Sequence, residues 1–319
     1  MTNELMVSVA VITYRQEQYI RRALDSILAQ QVNFKYEIVI GEDKSPDNTR
    51  EILAEYAARY PDMIRVLPRP ENLGASRNIY DVYTRCNGKY IANLEGDDYW
   101  TDPKKLQLQV DFLEQNPQYI GTTHFYRYVD VAENHLPELT EKYGQNPDCV
   151  YAMADYEQFL MPGQLATLVF HNLFKQPQYN YSIMYTADRL VSDRTIALIL
   201  VLAGKLYRLP RFMSDYRWMS HGEHVQDIDQ KNLYESFCYY QKLKQWAKQE
   251  AHTDVSFCAA EADLFYSAAY NCILHPAKEN NKIAVRIFKQ CTGKGKLAAG
   301  LIKNLAVLTA KKLRGTVSK

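Results

Sequence analysis

Four short apolar runs, separated by stretches of helical periodicity, decide most of what this chain can fold into. Val7-Ser8-Val9-Ala10-Val11-Ile12, Glu37-Ile38-Val39-Ile40, Ile64-Arg65-Val66-Leu67 and Tyr90-Ile91-Ala92-Asn93-Leu94 read as strands. The most continuous of them, Val7–Ile12, predicts a parallel strand buried on both faces. Residues 15–30 put Tyr19, Ile20, Ala23, Leu24, Ile27 and Leu28 on one helical face. Ser45-Pro46-Asp47-Asn48 supplies turn and cap signals for a second helix carrying Ile52, Leu53, Tyr56, Ala57 and Tyr60, and residues 75–86 make a third. Strands alternating with helices predict βαβ units and a mostly parallel sheet flanked by helices.

Open sheets of this kind bind ligands outside the carboxyl ends of their strands. The residues there are Thr13-Tyr14, Asp43, and Glu95 with Asp97 and Asp98. They are expected to converge on one crevice. Three carboxylates within four residues repel and resist burial, so packing gives no reason for them. A hard divalent cation does, because Mg²⁺ and Mn²⁺ take one or two carboxylates plus substrate phosphates. A solvated acidic turn is the alternative reading. No G-x-G-x-x-G follows the first strand, and no G-x-x-x-x-G-K-[ST] occurs. The chain is therefore unlike a dinucleotide-binding Rossmann domain, and it is not a P-loop ATPase.

The chain is 319 residues long with a net charge of +1, which argues against a general nucleic-acid binder. Six scattered cysteines with no CxxC pair read as free thiols of a reducing compartment. No signal peptide and no membrane-spanning run are expected. A helix is expected after Asp102-Pro103, running to Asn116-Pro117, and a buried one at Thr195–Gly204.

Four segments together carry a family resemblance: Thr13-Tyr14-Arg15-Gln16-Glu17; Glu42-Asp43-Lys44-Ser45-Pro46-Asp47-Asn48-Thr49; Asn72-Leu73-Gly74-Ala75-Ser76-Arg77-Asn78; and Glu95-Gly96-Asp97-Asp98-Tyr99-Trp100-Thr101-Asp102-Pro103. In order and spacing the chain resembles a family 2 glycosyltransferase of the GT-A fold over residues 5–125, more weakly to 225. The expected layout is a GT-A domain over 1–225, with a nucleotide-binding half 1–125 and an acceptor half 126–225. A mostly helical region then covers 226–319.

The resemblance implies inverting transfer of a sugar from a nucleotide-diphosphate donor, UDP-sugar favoured, to an acceptor hydroxyl. Asp43 would accept the imide N–H of the base. Thr13, Tyr14 and Glu17 would line base and ribose, and Asn72 and Arg77 would reach the nucleotide. Asp97 and Asp98 would hold Mn²⁺ or Mg²⁺ against the diphosphate, with Asp97 also at the nucleotide. Glu95, where the family often has Asp, would reach the metal through water or bond the ribose or an arginine. The catalytic base would be Asp193, just before the apolar Thr195–Gly204 helix, with Asp188 as the fallback. Tyr216-Arg217-Trp218-Met219-Ser220-His221 resembles the family's Tyr-Arg-x-His segment with two extra residues, making His221, or else His224, a metal candidate.

The acceptor implied is a saccharide or a lipid-linked saccharide, in bacterial cell-surface polysaccharide or lipopolysaccharide synthesis. Residues 278–319 hold eleven Lys/Arg against one acid, a net +10 that leaves −9 for the rest. Leu297, Leu301, Leu305 and Leu308 fall near one face of that end, with basic residues around them. Two readings fit. The 297–319 segment lies on an anionic membrane, which would make the protein cytoplasmic and peripheral at the inner face of the cell membrane. Alternatively it packs back on the protein. A sugar-nucleotide nucleotidyltransferase is the competing enzyme class, but it would carry a glycine-rich loop after the first strand, where this chain has none. The remaining alternative is a catalytically inactive sugar-nucleotide-binding protein.

Overall fold

The computed structural model describes residues 4–144, 148–190, 192–219, 230–274 and 278–291. The chain divides into two compact units, residues 1–156 with 160–225, and residues 157–159 with 226–319. The first unit begins β1 (Leu5–Thr13), α1 (Ile20–Leu28), β2 (Lys35–Glu42), α2 (Thr49–Arg59), β3 (Ile64–Pro68), α3 (Ala75–Tyr83), β4 (Tyr90–Glu95), β5 (Tyr99–Trp100), α4 (Lys105–Gln115) and β6 (Tyr119–Val129). It continues α5 (Pro137–Leu139), β7 (Val150–Tyr151), α6 (Met153–Glu157), β8 (Val169–His171), α7 (Ile183–Thr186), α8 (Asp193–Ala203) and β9 (Lys205–Arg217).

Nine strands among the described residues form one sheet, ordered β3-β2-β1-β4-β8-β6-β9-β5, with β7 paired to β9. The first four strands in that order are all parallel, as strand–helix alternation requires. β8 then runs antiparallel to both β4 and β6, and β6 and β9 are parallel again. This is a mixed α/β sheet with a parallel half, as expected from the sequence. Val7, Val9 and Val11 of β1 pack with Ile38 and Ile40 of β2 against the apolar faces of α1, α2 and α4. The opposite face of the sheet takes α3. Gly41 allows that approach: a Cβ there would overlap the Asn78 side chain, whose Nδ2 donates to the Gly41 carbonyl at 2.8 Å.

The first helix differs from expectation in a way that matters for the site. It begins at Ile20, and residues 14–19 form a turn in which Arg15 takes φ 58°. The Gln16 and Glu17 amides leave the helix register to bond Thr49 Oγ1 at 3.0 Å and an Asp47 carboxylate oxygen at 3.2 Å. Two loops beyond the strand ends are thereby fastened together. The long strand β9 is also absent from the sequence reading. Pro210 interrupts it, and it sits where the register with β6 shifts between His124 and Phe125.

In the second unit α9 (Gln230–Glu250), α10 (Cys258–Leu274) and α11 (Lys278–Gln290) share a core of Leu233, Phe237, Phe265, Ala268, Ile287 and Cys291. No helix among the described residues is long and apolar enough to cross a membrane. The basic 297–319 segment lies outside the described residues.

Candidate active site

The ends of β1, β2 and β4 meet. The Asp43 amide donates to the Thr13 carbonyl at 3.1 Å, and the Gly96 amide to the Ile12 carbonyl at 3.1 Å. Thr13, Asp43 and the Glu95–Asp98 loop are neighbours for this reason. Tyr14 follows at the rim, half-buried, with the Arg15 guanidinium 5.1 Å from its ring.

Asp43 is buried, and its carboxylate is already engaged. One oxygen accepts the Leu73 amide at 2.7 Å and the other the Gly74 amide at 2.9 Å. Asn72 Nδ2 donates to the Asp43 carbonyl at 3.1 Å. Gly74 takes φ +84°, a turn conformation only glycine adopts readily, and leads into α3. Asp43 therefore holds the turn that starts the helix carrying Arg77. Glu17 is engaged as well, accepting the Asn48 amide at 2.8 Å.

Arg77 is exposed and lies 4.1 Å from the centre of the Tyr185 ring. With Leu73, Tyr185 and Arg189 it lines a cavity of about 420 Å³. Arg189 donates to the Asn72 side chain at 2.8 Å, and its carbonyl accepts the Ser76 amide at 3.0 Å. Neither Tyr185 nor Arg189 stands out in the sequence, where nothing marks a tie across more than a hundred residues.

The acid loop is fixed from β9. Arg217 donates its backbone N–H to one Asp98 oxygen at 2.9 Å and its Nε to the Asp97 carbonyl at 3.0 Å. Its remaining nitrogens reach the Val131 carbonyl at 3.1 Å and Glu133 at 3.0 Å. The guanidinium also sits 4.5 Å from the Tyr19 ring centre. The second Asp98 oxygen, Oδ2, is buried without a partner. Burial, and then the neighbouring Asp97, push the Asp98 carboxyl well above the usual range, against the opposing pull of Arg217.

Asp193 is the first residue of α8, half-buried, and its charge reaches the acid loop. Glu95 is pushed well above its ordinary value by burial first, then by Asp193, Asp98 and Asp97 in that order. Tyr216 of β9 is pushed up by burial and by Asp98, Glu95 and Asp97. The charge of Asp193, on a separate segment, thus opposes that of Glu95 at the acid loop. Asp188 lies elsewhere in its turn, accepting the Leu190 amide at 2.7 Å. His221 and His224 lie outside the described residues.

Among the described residues no three His, Cys, Asp or Glu side chains form a metal cage. The donor set nonetheless fits a hard cation. The buried, unpartnered Asp98 Oδ2 and the mutual repulsion of Glu95, Asp97 and Asp98 are both relieved by one. Mg²⁺ and Mn²⁺ complete their shells with water and substrate phosphate, so one or two carboxylates suffice.

A family model described as Glycosyl transferase family 2 matches residues 8–169. An uncharacterized protein of Mycobacterium tuberculosis is 35% identical over 234 residues, 72% of this chain and 64% of that protein's own length. The Bacillus subtilis protein TuaG, provisionally named a teichuronic acid biosynthesis glycosyltransferase, is 35% identical over 114 residues, 35% of this chain and 44% of its own. Among solved structures, S. aureus TarS in complex with UDP-GlcNAc superposes with a TM-score of 0.63 at 15% identity, covering 98% of this chain and 92% of that one. A Pyrobaculum calidifontis mannosyltransferase in complex with GDP-Man and Mn²⁺ gives 0.53 at 16% identity, over 98% and 83%.

Proposed function

The chain belongs to glycosyl transferase family 2, and from that premise we propose that it moves a sugar from a nucleotide-diphosphate donor to an acceptor hydroxyl with inversion. The observation that carries this reading is the convergence of Thr13, Asp43 and the Glu95–Asp98 loop at the carboxyl ends of β1, β2 and β4, with Asp98 Oδ2 buried there without a partner. A transferase that displaces its leaving group directly needs charge on two sides of the anomeric carbon. One side neutralises the departing diphosphate, and the other takes the acceptor's proton.

On this reading Asp43 and Arg77 receive the nucleotide, with Thr13, Tyr14, Glu17 and Asn72 around it. The engaged Asp43 carboxylate still has lone pairs for a base imide, since each oxygen accepts one amide. Asp97 and Asp98 hold Mn²⁺ or Mg²⁺, which when bound offsets the charge developing on the diphosphate. Asp193 acts as base on the acceptor hydroxyl. UDP-sugars are the favoured donors, in line with the UDP-GlcNAc bound by TarS.

A saccharide acceptor, free or lipid-linked, is supported by an aromatic surface beyond Tyr216. The exposed Trp218 and Tyr143 both pack on Tyr128, at 5.9 and 6.3 Å between ring centres. Cell-surface polysaccharide synthesis is the pathway class supported by the name given to TuaG. A cytoplasmic enzyme peripheral to the membrane through residues 297–319 completes the proposal.

The test is turnover of UDP-, GDP- and dTDP-sugars with and without Mn²⁺. Release of nucleotide diphosphate that depends on the cation is expected. Absence of turnover with every donor overturns the proposal.

A further inference from the structure

We infer that Gln16 is a specificity-determining residue of the donor site, reading a ribose hydroxyl of the nucleotide through its side-chain carbonyl. The inference rests on the nucleotide-sugar reading above.

The backbone of Gln16 is fully used. Its amide bonds Thr49 Oγ1 at 3.0 Å, and its carbonyl accepts the Tyr19 and Ile20 amides at 3.0 and 2.9 Å to start α1. The side chain is different. Oε1 is buried and has no partner. A buried amide oxygen left unmatched costs stability, and such groups persist where something else completes them. The position is also specific. A Cβ built on Gly96 would collide with Gln16 Oε1 and lie 2.9 Å from Thr13 Oγ1, a second buried oxygen without a partner. The two unpartnered oxygens therefore lie together on one side of Gly96, against the loop between Glu95 and Asp97.

Their place in the crevice selects the ligand group. Asp43 lies on one side, tied to the Thr13 carbonyl, and takes the base end of the nucleotide. Asp97 and Asp98 lie on the other and take the diphosphate end. Between base and diphosphate sits the ribose, whose two hydroxyls are donors. An amide carbonyl is an acceptor only, so phosphate oxygens do not satisfy it, whereas a hydroxyl does. A water on the cation also donates, and the test separates that case.

Wild type, Gln16→Met and Gln16→Leu of the full chain are titrated with UDP, GDP and their 2′,3′-dideoxy analogues in Mn²⁺, with thermal melts run without nucleotide. Wild type is expected to prefer the ribonucleotide by about tenfold or more, the weight of one buried hydrogen bond. Gln16→Met should bind that ribonucleotide roughly tenfold more weakly. It should bind the dideoxy analogue as wild type does, and melt no lower. Retention of the ribose preference in both variants, or equal weakening of both nucleotides, overturns the inference. Equal weakening together with lower Mn²⁺ affinity identifies a cation-bound water instead. If wild type binds none of these nucleotides, the nucleotide-sugar reading fails and the inference with it.

Discussion

Arg217 and Asp98, 119 residues apart, are joined by a 2.9 Å bond from the Arg217 amide to one carboxylate oxygen. The bond fixes which face of Asp98 is left over. One oxygen belongs to the fold, and Oδ2 is buried without a partner. On the proposed reading the charge of Asp98 serves the cation, while its bond to Arg217 serves the sheet.

Asp98→Asn separates these roles. The amide oxygen still accepts the Arg217 N–H, so the folded state should melt at or above the wild-type temperature. A carboxyl held well above its usual range no longer has to ionise in a buried place. Mn²⁺-dependent turnover should fall about 10²-fold or more, the scale for losing one charge-stabilising group. Thermal melts beside initial rates check both halves.

Arg217→Met should do the reverse. It removes the bonds to the Asp97 and Val131 carbonyls and to Glu133 while keeping the side-chain volume. A loss of about 1–3 kcal/mol in urea-derived stability is expected, as for leaving buried carbonyls without their donor. The Asp98 Oδ1 contact to the backbone survives, so the damage should appear in stability before it appears in cation affinity.

Asp43→Asn tests a side chain that both holds a turn and, on the proposed reading, a base. Its two oxygens accept the Leu73 and Gly74 amides. An asparagine can match only one, and turns an N–H against the other. About 1–2 kcal/mol should be lost in urea melts without nucleotide, alongside weaker nucleotide binding. Unchanged stability would show that the turn at residues 72–74 stands without Asp43.

These residues show what was legible in the sequence. The parallel half of the sheet and the meeting of Thr13, Asp43 and the 95–98 loop follow from strand period and topology, which are local signals joined by a general rule. The division of labour inside Asp98 was not legible, because it depends on Arg217, a long-range partner on a strand whose pattern is broken by Pro210. The turn at residues 14–19 was hidden for a similar reason. Its apolar spacing is helical, yet the bonds of Gln16 to Thr49 and Glu17 to Asp47 outweigh that local preference. Arg189 and Tyr185 carry no sequence signal because their partners, Asn72 and Arg77, lie on a different part of the chain.

Lys105 gives a pH test away from the site. It is fully buried in α4, its Nζ has no partner, and it sits 4.1 Å from the Trp100 ring centre. Burial pulls its pKa well below 10.5. His124, also buried, is pulled below 6.5 by burial and by Lys105. For both groups the unfolded chain binds more protons than the folded one between the two pKa values. Stability therefore rises with pH, through each lowered folded pKa, until the ordinary value is passed. Lys105→Met should raise stability near neutral pH by about 1–3 kcal/mol and flatten the alkaline part of that rise. Urea melts from pH 5 to 10 read both effects. A wild-type curve that is flat across this range would count against a buried neutral lysine.

Asp193 and Asp188 are the two candidate bases, and the structure gives them different surroundings. Asp193 feels the acid loop strongly enough to help push up Glu95, and Tyr83 as well. Asp188 spends a carboxylate oxygen on the Leu190 amide at 2.7 Å. If Asp193 takes the acceptor proton, Asp193→Asn should lower kcat by about 10²–10⁴, the range for a lost general base. Nucleotide affinity should stay near wild type or rise slightly, because one anion facing the diphosphate site is gone. Asp188→Asn should change kcat by less than about threefold, since an amide oxygen keeps the Leu190 contact. The two variants are compared by initial rates at saturating donor and by direct titration of the nucleotide. A large kcat loss in Asp188→Asn with an active Asp193→Asn would move the base to the turn before α8. A loss of nucleotide affinity in Asp193→Asn would instead make it a donor-binding group.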